Sequence, residues 1–391
     1  MDLLKNPPQT AMIATETAGD RTKPVSERMA RSVMKRYKPE QVQWHYEHGL
    51  VLQSIFLKGQ RTAQEDLCNY VKFMYDTKIT ATGDILTYRE GEFNLDQINP
   101  GKTLFLLLKK YGEEKYRTAI EKLHRQLRGQ PRTNTGGFWH KQIYPWQMWL
   151  DGLYMEGPFY AQYTAEFGGG ADFNDVVNQF TLIESKTVDK ETGLLYHAWD
   201  ESRKQLWANP ETGCSPHFWG RAMGWYCMAL ADTLDFITPA YQKHYKALTA
   251  IANRLLAPLL KYQDKKSGLW FQVLDQGQRE KNYTESSASS MFVYFLLKMI
   301  RLEIFQKNDC FQAMEAARRA YEGLLRDKLE EDPSGELHLT GICKVAGLGG
   351  EPYRDGTYEY YVGEMVAADD FKGVGPFILA SMEYEGDWHK T

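Results

Sequence analysis

The sequence predicts an all-α protein, an (α/α)6 barrel in which six helical hairpins close into a ring. Three observations predict it. Apolar residues recur at helical spacing through nearly the whole chain. No strand–helix alternation of the kind that builds a parallel sheet interrupts them. A short glycine-centred loop pattern returns at intervals that each hold about two helices.

Helices are expected at approximately 27–37, 42–57, 62–77, 96–110, 113–128, 149–166, 172–187, 219–236, 241–263, 284–305, 310–329 and 371–384. The linkers between them, such as Gly91–Gly101 and Asn209–Ser215, are rich in Gly, Pro, Asn and Asp, and none is a low-complexity domain boundary. Thr192-Gly193-Leu194-Leu195-Tyr196 matches Ser267-Gly268-Leu269-Trp270-Phe271. Gly136-Gly137-Phe138-Trp139-His140 and Ser334-Gly335-Glu336-Leu337-His338 are looser copies. From Gly137 through Gly193 and Gly268 to Gly335 the spacings are 56, 75 and 67 residues. A helical hairpin cannot bury its apolar face alone and must stack on neighbours, and six can close a ring. An open solenoid is the rival, but this period is longer and less regular than solenoid repeats of about 34 residues. The expected organisation is an N-terminal extension of unassigned function over residues 1–26 and one barrel domain over 27–391.

Composition narrows the function classes. The 391 residues carry a formal net charge of −4, with 43% apolar and 25% charged residues, as in an ordinary soluble globular protein. That balance argues against nucleic-acid binding, which needs a strongly basic surface. Five scattered cysteines form no CxxC pair, so they are read as buried thiols in a reducing compartment rather than as a zinc site. The first twenty residues lack a signal-peptide core, and no eighteen-residue apolar run occurs. No membrane partner and a cytoplasmic location are therefore expected. Aromatics make up 13% of the chain; they serve either as core filler or as faces on which sugar rings stack.

Two acids stand out. Asp151 is embedded in the apolar and aromatic run Trp146-Gln147-Met148-Trp149-Leu150-Asp151-Gly152-Leu153-Tyr154-Met155. Burial would raise its pKa and make it a proton donor near neutral pH; the alternative is a helix N-cap. Asp96 sits in the turn-prone segment Gly91–Lys102, ahead of a helix, where an acid is commonly structural. Two carboxylates facing one pocket would divide into a protonated and an ionised partner. A third cluster holds His197 and, in Pro216–Trp225, Arg221 and Trp225, four apart on a helix. An Arg fork and a Trp face suit an acidic sugar, or each other through a cation–π contact. His140 and Lys141 add positive charge just before the Asp151 segment. His45 and His48 have a possible metal-ligand spacing but are read as a helix-surface or core pair. The run Gly373–Phe377 lacks a P-loop lysine and is read as turns near a pocket rim. There is no GxSxG, HExxH or dinucleotide fingerprint.

The segments Asn94–Lys102, Trp149–Met155 and His217–Trp225 resemble the unsaturated rhamnogalacturonyl hydrolases of glycoside hydrolase family 105, related to the unsaturated glucuronyl hydrolases of family 88. The resemblance runs from about Glu27 to Glu385 and implies the (α/α)6 barrel. It also implies removal of a 4,5-unsaturated uronic acid from the non-reducing end of lyase-generated rhamnogalacturonan oligosaccharides. By the family pattern Asp151 is the general acid and base and Asp96 its paired carboxylate. His140, Lys141, His197 and Arg221 line the unsaturated-sugar subsite, and Trp149 and Trp225 stack on the sugar. Arg221 or Lys141 pairs with the uronate carboxylate. No metal or organic cofactor is called for. The partner is an unsaturated uronyl di- or oligosaccharide; the oligomeric state is left open, a monomer being compatible with the chain. A histidine-based sugar epimerase and a non-catalytic helical scaffold are the competing classes.

Overall fold

Helices that are apolar all the way round alternate along this chain with helices that carry a single apolar stripe. The computed structural model describes residues 21–386. Residues 1–20 of the expected N-terminal extension lie outside the described residues. The helices are α1 (Val25–Arg36), α2 (Tyr46–Arg61), α3 (Glu65–Asp76), α4 (Gly101–Tyr111), α5 (Glu114–Gly129), α6 (Leu150–Glu166), α7 (Phe173–Thr187), α8 (Gly220–Thr233), α9 (Gln242–Tyr262), α10 (Ser286–Arg301), α11 (Lys307–Asp327), α12 (Tyr358–Gly363) and α13 (Phe371–Glu385). All the helices expected from the sequence are present, and the short α12 is additional.

Every residue of α8 is buried, and α10 is buried continuously from Ser286 to Met299. By contrast α9 buries only Leu248, Ile251, Ala252, Leu255, Leu256, Pro258 and Leu259, one stripe along its length. The first kind forms an inner ring. Helix α2 packs on α4, α4 on α6, α6 on α8, α8 on α10, α10 on α13, and α13 back on α2. Helices α1, α3, α5, α7, α9 and α11 lie outside and pack against it. This is the (α/α)6 barrel.

The glycines of Gly373–Phe377 close the ring. That run lies inside α13 and is fully buried, so it is not the pocket-rim turn expected from sequence. A Cβ on Gly375 would come within 2.6 Å of Leu50 on α2, and one on Gly373 within 2.6 Å of Ile342. Glycine leaves room for the Leu50 and Ile342 side chains to press against the helix, so helical packing explains the run.

Inner helices lead into outer ones through short connections, residues 62–64 after α2 and 112–113 after α4. Outer helices return through long ones: 77–100, 130–149, 188–219 and 263–285. All inner helices therefore begin at the same end, and the long loops crowd there. The recurrent loop is a turn closed by a side chain. The Asp189 carboxylate accepts from Thr192 N and Oγ1, and the Asp264 carboxylate accepts in the same way from Ser267 N and Oγ. The glycines that follow have positive φ: 76° at Gly193 and 81° at Gly268. In the copy at 133–137 that conformation falls on Gly136, one residue before the glycine aligned from sequence. Short antiparallel ribbons brace the loops, among them β1 (Gln147–Trp149) with β2 (Ala198–Asp200).

All five cysteines are free, Cys310 half-buried and the others buried. Among the described residues no helix is long and apolar enough to cross a membrane.

One inner-helix side chain opposes folding. Lys102, in the first turn of α4, is 2% exposed; its Nζ lies 3.6 Å from the Tyr154 ring centroid and has no hydrogen-bond partner among the described residues. Burial pushes its pKa down to about 7, with Asp232 opposing and Lys298 assisting. An unfolded lysine titrates near about 10.4, so between those values the unfolded chain binds a proton that the folded chain has released. The penalty is therefore complete below pH 7 and fades as pH rises toward the unfolded value. Lys102→Met should raise Tm by a few degrees at pH 6 and by clearly less at pH 9, measured by calorimetry. An equal gain at both would mean that Lys102 is not a buried charge.

Candidate active site

Because the inner helices share one direction, their first turns gather at one mouth. His45 is the N-cap of α2, and Asp96 lies in a 3-10 turn, Leu95–Gln97, ahead of α4. Asp151 and Arg221 lie in the first turns of α6 and α8. Glu285 and Asp370 are the N-caps of α10 and α13. Unpaired N–H groups and the positive ends of helix dipoles make such a mouth hospitable to negative charge.

Asp96 is 5% exposed. Asn94 fixes its turn by accepting Asp96 N–H at 3.0 Å, and Leu95 N–H donates to the His140 carbonyl at 3.2 Å. One carboxylate oxygen lies 2.6 Å from Lys141 Nζ, the other 3.2 Å from His140 Nε2, and His45 Nε2 stands at 3.7 Å. Burial alone would raise the Asp96 pKa. Lys141 and the two histidines outweigh it and hold the carboxyl well below the usual range. Asp96 is held as the carboxylate.

Asp151 is 9% exposed and is not a cap: Trp149 occupies the N-cap position, and no side-chain cap bond forms there. Its Oδ2 lies 3.1 Å from His197 Nε2. His197 is fully buried, with Nδ1 2.8 Å from the Tyr361 hydroxyl. Burial holds the Tyr361 hydroxyl protonated, and the Asp151 charge adds to the effect. Among the described residues, Asp151 Oδ2 and His197 Nε2 approach each other without a hydrogen bond between them. Thus Asp96 faces a lysine and two histidines, whereas the nearest ionisable partner of Asp151 is one imidazole.

Tyr46, the first residue of α2, lies near enough to both acids to feel their charge. Burial raises its pKa well above normal, and the charges of Asp96, Glu47 and Asp151 reinforce this, so its hydroxyl remains a donor.

Arg221 is 1% exposed. Its Nε donates to Ser287 Oγ at 2.8 Å, and Nη2 reaches Glu285 at 3.4 Å and the Cys343 carbonyl. Among the described residues Nη1 is buried without a hydrogen-bond partner. The guanidinium lies 5.5 Å from the Trp219 ring centroid, so the cation–π contact expected with Trp225 is made to Trp219 instead.

Both tryptophans expected to stack on the sugar pack against protein rings in the structure. Trp149 is 5% exposed and stacks on His140 (4.8 Å between centroids) and Tyr144 (5.0 Å). Trp225 is 1% exposed, stacked on Tyr154 at 5.0 Å with Tyr46 edge-on at 5.9 Å. Their rings are occupied by protein: Trp149 is a wall and Trp225 lies one layer beneath Tyr46. His45 and His48 diverge. His45 faces Asp96, while His48 Nδ1 meets the Tyr37 hydroxyl at 2.5 Å, and burial pushes its pKa down to about 4. Sequence reasoning missed Tyr46, Glu285 and Tyr361. Glu285 at a Ser-rich helix start carried a capping signal; Tyr361, on the additional helix, carried none.

A family model for Glycosyl Hydrolase Family 88 matches residues 25–386. A solved glycoside hydrolase of family 105 from Clostridium acetobutylicum is similar, with 46% identity and a TM-score of 0.89, over 93% of this chain and 99% of that one. The unsaturated rhamnogalacturonyl hydrolase YesR of Bacillus subtilis is 27% identical over 264 residues, 66% of this chain and 71% of that protein. An unsaturated glucuronyl hydrolase from Bacillus sp. GL1 shares the fold, with a TM-score of 0.67 at 13% identity over 92% of this chain and 95% of that one.

Removing one partner of a buried pair strands the other charge, at a cost of about 3–5 kcal/mol. Lys141→Met should therefore lower Tm more than the double variant Asp96→Asn/Lys141→Met, in which no lone carboxylate remains. Equal losses in thermal unfolding would mean that Lys141 does not neutralise Asp96.

Proposed function

The chain belongs to Glycosyl Hydrolase Family 88, in company with the family 105 glycoside hydrolases, and on that premise we propose that it removes a 4,5-unsaturated galacturonyl residue from the non-reducing end of rhamnogalacturonan oligosaccharides left by a lyase. The observation that carries the reading is the division of labour between the two buried acids. Asp96 is held ionised by Lys141 and His140, while Asp151 meets a single imidazole, His197, at 3.1 Å. A fixed anion beside a separately held carboxyl suits proton transfer to a bound substrate. The name of the similar YesR supports rhamnose as the next sugar.

In the proposed reaction Asp151, in its acid form, gives its proton to C4 of the unsaturated sugar. Water adds at C5, and Asp151, now a carboxylate, takes up the proton that the water loses. The resulting hemiketal opens and the remaining saccharide leaves. No C–O bond at the anomeric centre is broken directly, unlike conventional glycoside hydrolysis. Asp96 and the Tyr46 hydroxyl hold the sugar. The substrate carboxylate goes to Arg221 rather than Lys141: Arg221 Nη1 is buried and unpartnered, whereas Lys141 is engaged by Asp96 at 2.6 Å. His140 acts through Asp96 and Trp149, which it touches. The free cysteines support a reducing, cytoplasmic setting.

Asp151→Asn should retain the wild-type Tm within a few degrees and lose at least about a thousandfold in kcat, followed as loss of the conjugated double bond's absorbance. Near-normal turnover would remove Asp151 from the role of proton donor. A saturated uronyl–rhamnose disaccharide should not be cleaved; cleavage at a comparable rate would mean conventional hydrolysis.

A further inference from the structure

The loop 344–357, ahead of α12, carries an arginine that the proposed reaction does not use. Arg354 is half-buried. Its Nε donates to the Gly349 carbonyl at 2.7 Å. Its Nη2 donates to the Leu348 carbonyl at 3.1 Å and to the Tyr144 hydroxyl at 3.0 Å. Backbone pairing between Gly349 and Arg354 closes the turn. Glycines make the cradle: a Cβ on Gly347 would come within 2.4 Å of Arg354 Nη1, and one on Gly350 within 3.1 Å of Nη2. The guanidinium is thus fixed by neutral oxygens alone. Among the described residues no carboxylate pairs with it, and Nη1 has no partner and is not sealed from solvent. The adjacent Asp355 is turned away, accepting from Thr357 N and Oγ1.

The position of this cation relative to the acids follows from its contacts. Tyr144, which receives Arg354 Nη2, stacks on Trp149, two residues before Asp151. Arg354 also lies close enough to Lys141 to oppose its protonation. A preorganised arginine with a free edge beside a lysine whose charge is already matched is a receptor for one further anion. It does not touch Asp96 or Asp151. A sugar reacting between those acids lies in the buried layer, and the rest of the saccharide must leave past the rim. Tyr353, 40% exposed with its hydroxyl held by Trp207 N–H at 3.1 Å, adds an aromatic ring beside the arginine.

We propose that Arg354 is a binding residue for a carboxylate on the leaving side of the substrate, a second uronate beyond the neutral sugar. This rests on the proposed function and extends it: the preferred substrate is an acidic oligosaccharide longer than a disaccharide. Nη1, whose N–H groups are uncommitted, takes the carboxylate, since both Nη2 hydrogens are already donated.

The test uses two ligands, an unsaturated uronyl–rhamnose disaccharide and the tetrasaccharide that continues with uronate and rhamnose. KM and kcat are measured for wild type, Arg354→Met and Arg354→Lys. Affinities come from calorimetry with the same substitutions in an Asp151→Asn background. Arg354→Met should weaken tetrasaccharide binding and raise its KM about tenfold, leaving the disaccharide unchanged, and Arg354→Lys should recover part of the loss. Equal weakening for both ligands would assign Arg354 to the reacting sugar or to loop integrity and overturn the proposal. So would no change for either. Wild type that turns over neither ligand would refute the proposed function instead, and calorimetry would still report whether Arg354 distinguishes them.

Discussion

The inner helices can close only if α13 returns onto α2, and that closure fixes everything at the mouth. The contact needs glycine: Gly375 lies against Leu50, and a Cβ on Gly49 of α2 would come within 2.6 Å of Pro100, just before α4. Once the ring is shut, the six inner helices begin together. Polar residues before or within their first turns, spread from His45 to Asp370, become neighbours. Sequence separation ceases to matter: Arg221 and Cys343 are 122 residues apart and share a hydrogen bond.

Convergence of helix starts has an electrostatic consequence. Six positive dipole ends favour anions, and the chain answers with Asp96, Asp151, Glu285 and Asp370. Each acid then receives different company. Asp370 accepts Lys372 N–H and pairs with Lys372 Nζ, and Glu285 is bound by Arg221, Ser287 and Cys343 N–H. Asp96 takes Lys141, His140 and His45. Asp151 is left with His197, whose own orientation depends on Tyr361. The site's chemistry comes from this unequal distribution of partners, since the carboxylates themselves are alike.

The ring and its helices were legible because burial on all sides and burial on one stripe leave different periodicities, as α8 and α9 show. Asp151, Asp96, His140, Lys141 and His197 were legible as polar residues in aromatic or turn-rich segments. What stayed hidden depends on tertiary contact. Gly373 and Gly375 look like turn residues, because the sequence does not reveal Leu50 and Ile342 pressing against them. Trp149 looks like a sugar platform until Tyr144, five residues earlier, and His140 cover it. Tyr361 sits in a helix too short to show a period, and its role depends on His197, 164 residues away.

The aromatic surplus now has a structural account. Tyr154 supports Trp225, Trp225 meets Tyr46 edge to face, and Tyr46 lies near both acids. His140, Trp149 and Tyr144 continue the series from Asp96 toward Arg354. Flat rings locked against one another lose little conformational freedom, so the charged groups attached to them are held without a deep rigid backbone cage. The same rings that confine the acids also connect Asp96, through His140, Trp149 and Tyr144, to Arg354.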